Sequence, residues 1–129
     1  MSVDDRLTIV TRAERDRAIL ELHGELDLAG APLLTAELQR GQVAHARAVV
    51  LDLQNLQFID SAGLRVILAK HEDAVVRGQE FALTQGSQQV QRLLSVAGVE
   101  EHLRVIASPE DLLLEDANGS AGAGSASPS

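Results

Sequence analysis

The chain contains no cysteine, tryptophan or tyrosine, and only two phenylalanines among 129 residues. Without cysteine there is no disulfide framework, no thiolate metal site and no thiol nucleophile. With so few aromatics the core must be aliphatic, and there is no stacking platform for single-stranded nucleic acid. Basic residues are scarce too: 11 Lys and Arg stand against 19 Asp and Glu, a net charge of −8. Such a surface repels a phosphate backbone, so direct contact with nucleic acid is not expected. No stretch approaches 18 continuous apolar residues, so no helical membrane span is expected. The opening MSVDDRLTIV carries acid where a secretory signal carries base, and a cytoplasmic protein is the expectation.

Several chemistries lack their motifs. Neither GxGxxG nor a Walker A loop is present, and the turn Ile59-Asp60-Ser61-Ala62-Gly63 is not the GxSxG of a hydrolase. The four histidines show no i, i+4 zinc pairing, and His71 reads as a core or boundary residue. A phospho-aspartate receiver needs an acidic pair just after its first strand and a late lysine. Here Asp4-Asp5 precede the first strand and Lys70, the only lysine, lies mid-chain. No catalytic residue, metal or cofactor is assigned.

What is present is an aliphatic pattern over one domain's length, 45% hydrophobic. Leu7 and Ile9, then Ile19, Leu20 and Leu22, read as two short strands around a charged turn, TRAERDR. Pro32 opens a helix over 32–40, with Leu33, Leu34, Ala36 and Leu38 as its stripe. The run AVVLDL at 48–53 reads as a strand buried on both faces. From Ser61, the residues Leu64, Ile67, Leu68, His71 and Val75 share a helix face that Gly78 closes. Phe81 and Leu83 mark another strand. Val90, Leu93, Leu94 and Ala97 mark a helix between Ser87 as cap and Gly98 as stop. Leu103 and Val105 mark a last strand, and Ser108-Pro109-Glu110-Asp111 starts a short helix over Leu112–Leu114. The expectation is an α/β domain over 1–115, with a mixed sheet of about five strands and about four helices. Its later strands should be largely parallel after an N-terminal hairpin. Residues 116–129, rich in Gly, Ala and Ser, read as a flexible tail.

The turn DSAGL sits where a strand hands over to a helix, the place where ligands and partners gather on such sheets. Local physics leaves two readings of Ser61 open. Its hydroxyl can cap the helix, a role that Asp60 could fill equally well. Alternatively, the free N–H groups and positive dipole end let the fold carry a phosphate there.

At this point the residues carry a resemblance. The run VVLDLQNLQFIDSAGLRVILAK resembles the signature of bacterial anti-sigma factor antagonists, soluble members of the STAS domain family. LHGELDLAGAPLL at 22–34 resembles the family's Gly-Glu-Leu-Asp segment, and SQQVQRLLSVAGVEEHLRVIASPEDLL resembles its closing helix–strand–helix. The three blocks cover about residues 7–114. The resemblance implies that Ser61 is a phosphoacceptor and that the protein regulates transcription without being an enzyme. In its unmodified form it would bind an anti-sigma factor that is also a serine kinase, freeing a sigma factor. A metal-dependent serine phosphatase would restore that form.

Many family members have Ser or Thr after the phosphoacceptor; here the position is Ala62, leaving Ser61 as the turn's only acceptor. The partner surface implied is Asp27, Asp60, Ser61, Ala62, Gly63 and Arg65, on a protein that is monomeric when free. Each has a plainer role open to it. Asp27 and Asp60 serve as caps, Gly63 fits a tight turn or gives a partner's backbone or a nucleotide room, and Arg65 is a solvated charge. A phosphorylation-independent STAS scaffold and a nucleotide-binding module are the alternative functions.

Overall fold

A computed structural model describes residues 6–99 and 101–111. The first two strands, β1 (Leu7–Glu14) and β2 (Arg17–Leu26), form an antiparallel hairpin in which Glu14 faces Arg17. The turn is therefore only Arg15-Asp16, with Arg15 at φ 60°, and not the whole charged stretch. Arg12, Glu14 and Arg17 belong to the strands, and Arg12 reaches Glu14 at 3.0 Å. Charge alone is a poor turn signal, because strand side chains alternate and one set can stay wet.

Helix α1 (Ala31–Leu38) carries Pro32 in its first turn, as its fixed φ favours. A four-residue helix, α2 (Gly41–Ala44), follows without any clear sequence signal. Strand β3 (Ala48–Asp52) is buried throughout, as its continuous apolar run predicts. After it comes β4 (Leu56–Ile59), which was not read from the sequence as a strand. Its four residues are too few for periodicity to separate strand from loop. Then come α3 (Ser61–Arg77), β5 (Glu80–Thr84), α4 (Gln88–Val96) and β6 (Val105–Ile106). Ser87 caps α4 by accepting the Val90 N–H, and Gly78 and Gly98 take the left-handed conformation after α3 and α4. Residues 109–111 are helical, and the Asp111 carboxylate accepts the Ser108 N–H at 3.2 Å. The expected Leu112–Leu114 helix and the tail lie outside the described residues.

The strand order is β1-β2-β3-β5-β6, with every pair after the hairpin parallel. Strand β4 pairs with β2 beyond the end of β3, on the edge opposite β1, so Gly24 lies beside both Leu7 and Leu56. Gly24 stands at φ +100°, and a Cβ there would sit 2.0 Å from the Arg6 carbonyl oxygen. Only glycine fits that crossing.

One face of the sheet packs Leu20, Leu22, Val49, Leu51 and Leu83 against the helices, while Ile19, Val50, Ala82 and Ile106 form a smaller cluster of their own. The stripe of α3 differs from the expected one. Its buried residues are Ala62, Gly63, Leu64, Ile67, Lys70 and Ala74, whereas Val75 is 66% exposed. The stripe follows 3.6 residues per turn, so by the fourth turn it has drifted to Ala74.

Candidate functional site

Strands β2 and β4 end side by side, with Leu26 opposite Ile59. The loop after β2 and the first turn of α3 consequently meet, and Asp60 joins them. Its N–H donates to the Leu26 carbonyl at 3.2 Å. Its Oδ2 accepts the Leu28 N–H at 3.2 Å, and its Oδ1 accepts the Gly63 N–H at 3.0 Å. Of the two capping candidates, Asp60 is the N-cap of α3. Ser61 is the first helical residue, exposed, with a side chain that makes no hydrogen bond among the described residues. The cap work falls to the carboxylate and leaves the hydroxyl unengaged beside a positive helix end.

Asp27 holds the neighbouring loop. Its Oδ1 accepts the Gly30 N–H at 3.1 Å, and its Oδ2 takes the Arg6 guanidinium at 3.0 Å. The Gly30 N–H first, and the Arg6 guanidinium after it, hold this carboxyl below its ordinary range, against an opposing desolvation cost. Asp27 is thus a loop-capping residue whose backbone carbonyl also accepts the N–H groups of Gly30 and Ala31. Ala62 and Gly63 are buried. A Cβ on Gly63 would stand 2.6 Å from Leu26 Cγ and 2.7 Å from the Leu26 oxygen, so this chain's own strand fills the space the glycine leaves. Arg65 is exposed one turn after Ser61.

The six candidate positions therefore lie on two adjoining segments. Four of them (Asp60, Ala62, Gly63 and Asp27) contribute to the joint itself, and Ser61 and Arg65 point outward from it.

The sequence reading missed three neighbours. Leu28 is 72% exposed although its N–H is fixed by Asp60. A leucine outside any stripe, in a Gly/Ala/Pro loop, was the available signal. Gln89 pairs with the outer edge of β4: its Oε1 accepts the Ile59 N–H at 3.1 Å and its Nε2 donates to the Ile59 carbonyl at 3.2 Å. No sequence pattern marks that contact. Asp52, 5% exposed, accepts the Thr84 hydroxyl at 2.9 Å and the Gln54 N–H at 3.1 Å, fixing the end of β3. An acid at the end of an apolar strand was its sign.

Residues 8–112 match the STAS domain family. The chain belongs to that family. It is 36% identical over 97 residues to the anti-sigma F factor antagonist of Paenibacillus polymyxa, covering 72% of this chain and 80% of that protein. It is 25% identical over 113 residues to the anti-sigma-F factor antagonist RsfB of Mycobacterium tuberculosis, covering 88% of this chain and 92% of the relative. Among solved structures, an anti-sigma factor antagonist from Mycobacterium paratuberculosis superposes with a TM-score of 0.77 at 21% identity. That match covers 89% of this STAS chain and 97% of the other. Among its described residues, no helix is long and apolar enough to cross a membrane.

Proposed function

We propose that this STAS domain is an anti-sigma factor antagonist that regulates transcription by partner switching, and that Ser61 is the switch. Unphosphorylated, it binds an anti-sigma factor with serine kinase activity and displaces the sigma factor. Phosphorylation of Ser61 abolishes that binding, and a metal-dependent serine phosphatase reverses it. The protein acts by binding and not by catalysis, in the cytoplasm, as a monomer when free.

The observation that carries this reading is the division of labour at the turn. Asp60 supplies the cap, and the exposed Ser61 hydroxyl is left free for a kinase. The relatives named as antagonists of anti-sigma factors support the partner class. In this reading Asp27, Asp60, Ser61, Ala62, Gly63 and Arg65 make up the binding surface. Asp60, Ala62 and Gly63 give it its shape, and Ser61 and Arg65 touch the partner. The exposed Leu28 adds an apolar anchor beside the switch, the kind of residue that concentrates binding energy at an interface. A phosphate contributes about −1.5 to −2 charges at neutral pH. Buried unpaired under a partner, such a charge costs about 3–5 kcal/mol, or roughly a hundredfold to several thousandfold in affinity.

The test is incubation with ATP and the serine-kinase-type anti-sigma factor of the same cell, with the phosphate located by peptide mass. The expected product carries one phosphate, on Ser61. Undiminished modification of Ser61→Ala would overturn the assignment.

A further inference from the structure

A groove of about 720 Å³ runs between α1 and α3, from Leu28 and Ala62 at the helix starts to His45, Lys70 and Arg77 near α2. Its walls are mostly small or apolar, among them Ala31, Thr35, Val66 and Ala69. Hydrogen bonds fix the segments at both ends of the groove. At one end Asp60 and Asp27 fix the loop that leads into α1. At the other, the Gln79 amide donates to the Ala46 carbonyl at 2.6 Å and the Arg77 guanidinium to the Ala44 carbonyl at 3.1 Å, tying α2 to the end of α3. The groove's volume falls in the range of about 300–1,000 Å³ usual for small-molecule sites.

Charge selects the occupant. Lys70 is the chain's only lysine, and its side chain is 5% exposed. Its ammonium donates to Gln79 Oε1 at 2.5 Å and to Asp73 Oδ2 at 3.4 Å. An ammonium has three N–H donors, so one has no acceptor among the described residues. The charged side chains lining the groove are Arg65, Lys70, Arg77 and Asp73, three positive and one negative, in a chain of net charge −8. Arg77 and Lys70 share the Asp73 carboxylate, whereas Arg65 has no ion-pair partner among the described residues. A buried ammonium with a spare donor, at the edge of an apolar trough, matches one chemistry: an anionic head on an alkyl chain.

We infer that the α1–α3 groove is a binding site for a linear alkyl carboxylate, with its head on Lys70 and its chain lying between α1 and α3 toward Leu28 and Ala62. The site lies within the folded domain, needs no partner protein and does not depend on phosphorylation of Ser61. Its far end is lined by Leu28, Ala62 and Arg65, so an occupant would lie beside the turn that carries Ser61.

The experiment is titration of the full-length ¹⁵N-labelled protein with dodecanoate below its micellar concentration, followed by amide NMR and calorimetry. The expected result is one saturable site of micromolar affinity, with shifts confined to α1, α2 and α3. Dodecanol and dodecyltrimethylammonium should bind at least tenfold more weakly. Lys70→Met should lower dodecanoate affinity tenfold or more, and Ala69→Leu, which fills the trough while keeping Lys70, should abolish it. Because Lys70→Met risks disturbing the fold, Ala69→Leu serves as the independent check. Non-saturating shifts, equal binding of the neutral and cationic chains, or unchanged affinity in Ala69→Leu would overturn the site. So would shifts centred on another surface, whether the sheet edge or a dimer contact.

Discussion

Two adjacent polar residues, Asp60 and Ser61, carry different loads. The Asp60 carboxylate bonds two backbone N–H groups, whereas the Ser61 hydroxyl bonds none among the described residues. Asp60→Ala should therefore lower unfolding free energy by about 1–2 kcal/mol in urea titration. Ser61→Ala should stay within about 0.5 kcal/mol of wild type; equal losses would mean that the cap has been misassigned. Gly63→Ala forces a Cβ into Leu26 and should cost about 1–3 kcal/mol in the same assay. Asp27 has a carboxyl held below its ordinary pKa. Its contribution to stability is complete above the unfolded-state value, near 3.8, and is lost as pH falls through the lower folded one. Asp27→Asn should flatten the acid limb of the stability curve below about pH 4 and show a constant deficit above pH 5. Much of this was legible in the residue types alone, since Asp, Ser and Gly at a strand–helix junction announce a cap. Which of two cappers acts was not legible, because both sit at the junction, and the second bond of the Asp60 carboxylate, to the Leu28 N–H, comes from 32 positions away in the chain.

At the scale of elements, α3 shows what a hydrophobic pattern can and cannot reveal. Leu64 and Ile67 marked its buried face correctly, and Gly78 marked its end. Val75 was expected on that face and is exposed, because hydropathy alone ranks a valine inside. The buried Lys70 has Gln79 and Asp73 accepting two of its three N–H groups, a tertiary fact. Strand β4 was missed for a related reason: its partners, the Gly24–Leu26 segment and Gln89, are remote in sequence. The contact holding α2 is equally non-local. Gln79 donates to the carbonyls of Val43, Ala44 and Ala46. Gln79→Ala should cost about 1–3 kcal/mol, because a buried ammonium and these carbonyls lose their partner. Hydrogen exchange should then speed up in residues 41–46 before the rest of the domain. Unchanged protection there would mean that α2 is held by Val43 packing alone.

For the whole molecule, the fold class was legible because strand and helix periods alternate cleanly after the hairpin, and parallel pairing follows from that order. The domain buries its aliphatic residues around the sheet, while Ser61 and Arg65 stay exposed at the start of α3. In the proposed reading, that exposure would let Ser61 change charge without changing the fold. The rigid part of the joint, Asp60 and Gly63, should respond to mutation through stability. The outward part, Ser61, should respond through binding alone. The most direct measurement is calorimetric affinity for the kinase-type anti-sigma factor, taken with wild type, Ser61→Ala and Ser61-phosphorylated protein. Wild type and Ser61→Ala should bind equally, and the phosphorylated form should bind on the order of a hundredfold or more weakly at unchanged thermal stability. Equal affinity of the phosphorylated and unmodified forms would contradict the account.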